Sequence, residues 1–106
     1  MKPQVSVLIP AYNYARYLPA CIECVLEQEG VAVEIIVVDD GSTDETPAVA
    51  ARYARHIRYA RQPNQGLSAA RNTALDMASC EYIVALDADD LLAPGTLASQ
   101  CAALER

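Results

Sequence analysis

Four times along the chain an apolar, β-branched run gives way to a pattern of helical period, and this alternation restricts the fold more than any other feature. "VSVLI" (5–9) ends at Pro10 and reads as a buried strand. Leu18, Ile22, Val25 and Leu26 then recur at helical spacing, with Pro19 in the first turn and Gly30 as the stop. "VEIIVVDDG" (33–41) is a second strand breaking at Gly41. Ser42 and Glu45 form an S-x-x-E capping box, which predicts a helix of about three turns through Tyr53. "HIRYAR" (56–61) reads as a third, shorter strand and "QPNQG" (62–66) as the turn after it. From Leu67, positions 67, 70, 71, 74, 75 and 78 mark one helix face. "EYIVALD" (81–87) is the fourth strand, and Pro94 opens a last helix.

The order β-α-β-α-β-α-β-α, with strands apolar on both faces, predicts an α/β, Rossmann-like domain: a parallel sheet with helices on both faces. Such sheets bind ligands outside the carboxyl ends of their strands, near the point where strand order switches direction. Three strands here end in groups able to bind a ligand: Pro10-Ala11-Tyr12-Asn13, Asp39-Asp40 and Asp87-Ala88-Asp89. That convergence is the main functional signal.

Charge narrows the partner. Eight Lys and Arg against fourteen Asp and Glu leave a net charge of −6, which argues against a nucleic-acid polymer as partner. The cysteines at 21, 24, 80 and 101 lack zinc-site spacing, and His56 is the only histidine. They read as small buried side chains in a reducing compartment. The chain opens on no charged-then-apolar leader, and no apolar run approaches about 20 residues, so the expected location is cytoplasmic. If the full-length protein is membrane-bound, that means the inner face.

Asp87, Asp89 and Asp90 crowd into four positions with nothing basic within ten residues, so they need a counter-cation, a proton or full hydration. Asp87 and Asp89, two apart at a strand end, can point to one side and suit Mg²⁺ or Mn²⁺. The plainer alternative is a strand cap followed by a hydrated turn. Arg71 falls on the apolar face of its helix, where an unpaired guanidinium is costly, and its fork fits a carboxylate or a phosphate equally. Gly66 allows close approach of the loop before that helix, or serves a plain turn. One of Asp39 and Asp40 can accept hydrogen bonds from a base or ribose. The alternative, helix capping through "DDGSTDE", suits Ser42 and Asp44 better than Asp39. Tyr12 can stack on a base or cover a core edge.

"VSVLIPAYNYARYLPACIECVLEQ", "EIIVVDDGSTDET", "NQGLSAARNTAL" and "EYIVALDADDLLAPGTL" occur in order and span essentially the whole chain. Together they resemble the N-terminal, donor-binding half of family 2 inverting glycosyltransferases. The resemblance implies a glycosyltransferase-A fold, a nucleotide-diphosphate sugar donor such as a UDP-sugar, and a divalent metal. By position, Pro10, Ala11 and Tyr12 look like the loop around the donor's base, with Asn13 following. Asp40 resembles the residue that hydrogen-bonds the base, with Asp39 in support, and Arg71 the basic residue near the nucleotide. Asp87-Ala88-Asp89 looks like the D-x-D motif, in which Asp89 holds the metal and Asp90 sits just outside. The resemblance also implies that the base deprotonating the acceptor lies beyond Arg106, in the acceptor-binding part of a longer enzyme.

Rival readings lack parts. A phosphorelay receiver needs a lysine at a later strand end, and the only lysine is Lys2. An aspartate-nucleophile phosphatase resembles D-x-D-x-T, where Leu91 stands in the last position. "PAYNYA" has no glycine for a dinucleotide fingerprint, and no Walker A loop is present. A non-catalytic nucleotide-binding or assembly module, forming a homo-oligomer through an exposed sheet edge, is the remaining alternative.

Overall fold

The structure, a computed structural model, describes residues 2–105. The elements alternate as expected: β1 (Gln4–Ala11), α1 (Leu18–Leu26), β2 (Ala32–Asp39), α2 (Thr46–Arg52), β3 (Ile57–Arg61), α3 (Leu67–Met77), β4 (Tyr82–Ala85) and α4 (Thr96–Leu104). One sheet holds all four strands in the order β3-β2-β1-β4, and every pairing is parallel. The chain steps outward from β1 to β3 and returns to the other side of β1. The switch point therefore lies between β1 and β4, at whose carboxyl ends such sheets bind ligands.

β1 and β2 are buried on both faces, which is why they read as unbroken apolar runs. On one face Val7, Ile9, Ile35 and Val37 pack under α1, α2 and α4 through Leu18, Ile22, Val49 and Leu97. On the other, Leu8, Ile36 and Val38 meet Ala70 and Ala74, small side chains that let α3 lie close to the sheet. The four cysteines are free; Cys21 and Cys101 are buried, Cys24 and Cys80 half-buried. Burial, then the negative charges around it, pushes the Cys21 thiol up to about 12, so it stays protonated and unreactive.

At the amino end of the sheet, Glu34 ties three elements together. It accepts from Ser6 Oγ (2.7 Å), Ser79 N (2.9 Å), Ser79 Oγ (2.8 Å) and Arg58 Nη1 (3.1 Å). Burial alone would raise its carboxyl, but the bonds from Ser6, Ser79 and Arg58 outweigh it and hold the group at about 2.

Several boundaries differ from the sequence expectation for identifiable reasons. β1 runs through Pro10 to Ala11 rather than stopping at the proline. Leu8 turns its carbonyl toward β4 and Ala11 toward β2, so Pro10 faces the β4 side, where pairing has ended at Ala85. α2 begins at Thr46 and makes about two turns, not three. The Ser42–Glu45 capping box does not form. Ser42 Oγ accepts the Asn13 N–H, and Asp44 Oδ1 takes the Thr46 N–H (2.9 Å) instead. α4 starts after Gly95, which sits at φ 79°, so Pro94 lies outside the helix. β4 ends at Ala85 and leaves Asp87 in a turn. Beyond β4 no strand follows among the described residues. Ile83 is 46% exposed, and an apolar cleft of about 360 Å³ runs between β4 and α4, lined by Val84, Leu97 and Leu104. No described helix is long and apolar enough to cross a membrane.

Candidate functional site

Three loops follow the carboxyl ends of β1, β2 and β4. At the end of β1, Pro10 and Ala11 are buried, whereas Tyr12, the first residue of the loop, is 37% exposed. Asn13 takes the left-handed conformation, φ 56°. Its Oδ1 accepts from Thr43 N (2.8 Å) and Asp44 N (3.2 Å), and its own N–H donates to Ser42 Oγ (2.9 Å). Asn13 is thus a latch between the loops after β1 and β2.

The acidic pair after β2 is buried and committed to the chain itself. Asp39 Oδ1 accepts Ser42 N (2.8 Å); its Oδ2 accepts the Tyr59 hydroxyl (2.7 Å) and pairs with Arg61 (3.3 Å). Burial and this hydrogen bond push the Tyr59 hydroxyl up to about 12. Asp40 spends both oxygens on the segment 62–66. Oδ1 accepts Gln62 Nε2 (3.0 Å) and Gln65 N (2.9 Å), while Oδ2 accepts Asn64 Nδ2 (3.2 Å) and Gly66 N (2.8 Å). Burial works to raise the Asp40 carboxyl, but the bonds from Gln65, Gln62 and Gly66 hold it below the usual carboxylate range. Four donors fill the four lone-pair sites of a carboxylate, so a ligand reaching Asp40 must displace one of them.

The glycines divide differently from expectation. Gly66, at φ 101°, has nothing within 4 Å of where a Cβ would sit, so conformation rather than close approach calls for glycine there. Close approach occurs at Gly41, whose Cβ would stand 2.8 Å from Asn64 N.

The acidic segment after β4 is a turn, closed by the Asp90 N–H to the Asp87 carbonyl (2.9 Å). Strand alternation therefore does not align Asp87 with Asp89; the turn gathers them, and it brings in Asp90, which the sequence left outside. Carboxylate oxygens of Asp87, Asp89 and Asp90, one from each, lie within 4.8 Å of one another, and all three residues are exposed. Ala88 between them is buried and anchors the turn. Three exposed hard oxygen donors fit Mg²⁺ or Mn²⁺, ions that keep several waters and share phosphate oxygens. Arg71 is exposed, contrary to the expectation from its helix face, because α3 buries a narrow stripe through Ala70 and Ala74. Its Nη2 lies 3.8 Å from Asp87 Oδ1, a loose surface pair that leaves most of the guanidinium fork open.

β2 and β4 flank β1, so their ends stand two interstrand spacings apart, about 10 Å. An aromatic face, main-chain groups and a carboxylate cluster beside an arginine can together accommodate a base at one end and phosphates with a cation at the other. The sequence missed Gln62, Asn64 and Gln65, read only as a turn; the signal was a polar Q-x-N-Q run facing a buried DD pair. It also missed Gln28, which gives no sequence sign of its contacts.

Comparison with known proteins gives the family and the fold. A model of "Glycosyl transferase family 2" matches residues 6–106. Chondroitin synthase of Escherichia coli is 42% identical over 95 residues, 87% of this chain and 14% of that protein. Among solved structures, S. aureus TarS 1–349 in complex with UDP-GlcNAc superposes with a TM-score of 0.86 at 29% identity, covering 99% of this chain and 31% of that one. The mannosyltransferase PcManGT of Pyrobaculum calidifontis, in complex with GDP-Man and Mn²⁺, gives 0.85 at 30% identity, covering 96% and 32%. The chain thus spans less than a third of each of these relatives, and its Rossmann-like sheet is of the glycosyltransferase-A type. With the family match running from β1 through α4, the chain belongs to glycosyl transferase family 2.

Proposed function

We propose that this chain is the donor side of a metal-dependent glycosyltransferase that moves a sugar from a nucleotide-diphosphate donor to an acceptor with inversion. One observation carries the reading: three carboxylates converge at the carboxyl end of β4, beside the switch point, with Arg71 next to them. Relatives of the same fold bound to UDP-GlcNAc and to GDP-Man with Mn²⁺ support it.

In this reading Asp89 and Asp87 would hold the cation, with the Asp90 carboxylate beside them. A bound Mn²⁺ or Mg²⁺ supplies Lewis-acid neutralisation of the departing diphosphate. Arg71, loosely paired to Asp87, swings its open fork onto a phosphate oxygen. Tyr12 offers its ring to the base, and the main chain of Pro10 and Ala11 borders it. Asp40 supports base recognition mainly by holding the 62–66 segment, with Gly66 its nearest ligand-facing residue. Asn13 and Asp39 brace the loops. The carboxylate that deprotonates the acceptor belongs, on this reading, to a part of the longer relatives outside the matched region.

The test is transfer by the full-length protein carrying Asp89→Ala, with UDP-GlcNAc as donor. A drop of at least a hundredfold is expected; activity within threefold of the parent would contradict the role. The bare edge of β4 favours a second reading, pairing of copies through that edge. Light scattering that finds only monomer at high concentration would remove it.

A further inference from the structure

The acidic turn is held to the rest of the fold by very little main chain. After Leu86, whose N–H bonds the Leu8 carbonyl, the backbone from Asp87 to Leu97 makes no sheet bonds. Among the described residues, its hydrogen bonds to distant parts of the chain all go to three side chains of α1 and its exit. Cys21 Sγ donates to the Asp87 carbonyl (3.6 Å). Cys24 Sγ accepts the Leu92 N–H (3.2 Å). Gln28 spans the far side: Nε2 donates to the Ala93 carbonyl (2.9 Å) and to the Cys24 carbonyl (3.3 Å), while Oε1 accepts the Leu97 N–H (3.1 Å).

Cys21 and Cys24, three apart on α1, and Gln28, two residues past its end, together grip the segment at four points along its length. Gln28 is 8% exposed, and both ends of its amide are engaged across 65 residues or more of sequence. A buried primary amide is costly unless bonded, and this one is bonded to the chain that carries the carboxylates. Three like charges within 4.8 Å push the turn open. The Asp90–Asp87 bond, buried Ala88 and the loose Arg71 pair oppose that push within the turn, and the bonds from Cys21, Cys24 and Gln28 hold the segment on either side of it.

We propose that Gln28, seconded by Cys24, is a positioning residue for the acidic turn: by clamping Ala93 and Leu97 to α1 it fixes the spacing of Asp87, Asp89 and Asp90. The effect on metal rests on the reading of these carboxylates as the cation site; the clamp itself does not.

Gln28→Met, of similar length but unable to make these bonds, tests both parts. Mn²⁺ alone is titrated by electron paramagnetic resonance under conditions where both proteins are folded, and amide exchange is followed in parallel. The variant should bind Mn²⁺ at least tenfold more weakly. Leu92 and Leu97 should exchange at least tenfold faster, with β1 and β2 amides unchanged. A Mn²⁺ affinity within twofold of the parent, or exchange accelerated uniformly over the sheet, would overturn the proposal. Should the parent itself fail to bind Mn²⁺, the cation reading falls, and the selective exchange at Leu92 and Leu97 alone decides the clamp. Should Gln28→Met not fold, Cys24→Ala and Cys24→Ser replace it. Alanine should speed exchange at Leu92 and serine, which keeps an acceptor, should restore it; equal behaviour of the two would overturn the clamp.

Discussion

Asp40 Oδ2 accepts the Gly66 N–H at 2.8 Å across 26 residues of sequence, joining the end of β2 to the start of α3. With Gln65 N on the other oxygen, the carboxylate organises the loop that leads into the helix bearing Arg71. Asp40→Asn removes the charge and turns an amide N–H₂ toward donors that already point inward. The expected loss is about 2–3 kcal/mol, the scale of hydrogen bonds to a charged group, read from urea unfolding. Faster amide exchange at Gln65 and Gly66 should accompany it. A loss below about 0.5 kcal/mol would show that the loop does not depend on Asp40.

Asn13 carries two separable contributions, its φ of 56° and its bonds to Thr43 and Asp44. Asn13→Ala loses both and should cost about 1–2 kcal/mol. Asn13→Gly relieves the backbone part and should cost less. Equal costs in thermal unfolding would mean that the left-handed conformation contributes nothing.

Glu34 predicts an acid limit. Its carboxyl stands at about 2 in the folded chain against an ordinary 4.5, so the unfolded chain binds the proton more readily. The stabilisation is fully present above about pH 4.5 and is lost as pH falls toward 2. At about 1.4 kcal/mol per pH unit, the amount is on the order of 3 kcal/mol. Urea midpoints from pH 6 to pH 2 should therefore fall less steeply for Glu34→Gln than for the parent. Parallel curves would contradict this.

Much of this architecture is legible in the residues. Strands buried on both faces announce themselves, so β1, β2 and the parallel order follow from "VSVLI" and "EIIVV". The same runs show where the strands end, and so which aspartates stand at their carboxyl ends. What local pattern could not convey was set by contacts distant in sequence. Ser42 looked like a cap because its neighbours suit one, but Asn13, 29 residues earlier, takes its hydroxyl. Arg71 fell on an apparently apolar face, yet leucines at 67 and 75 are 37% and 47% exposed because the alanines alone meet the sheet. Asp90 joined the cluster through a turn that strand alternation cannot describe. Gln28 engages residues 65 to 69 positions away, and no periodicity encodes that.

The central claim is that the loops at the carboxyl ends of β1, β2 and β4 bind a nucleotide-diphosphate donor through a cation held by the acidic turn. Calorimetric titration of this chain with UDP-GlcNAc, with and without Mn²⁺, tests it most directly. The expected result is binding that Mn²⁺ strengthens at least tenfold, that Asp89→Ala abolishes, and that Arg71→Ala weakens several-fold. Binding of equal strength with and without Mn²⁺, or undiminished in Asp89→Ala, would contradict it.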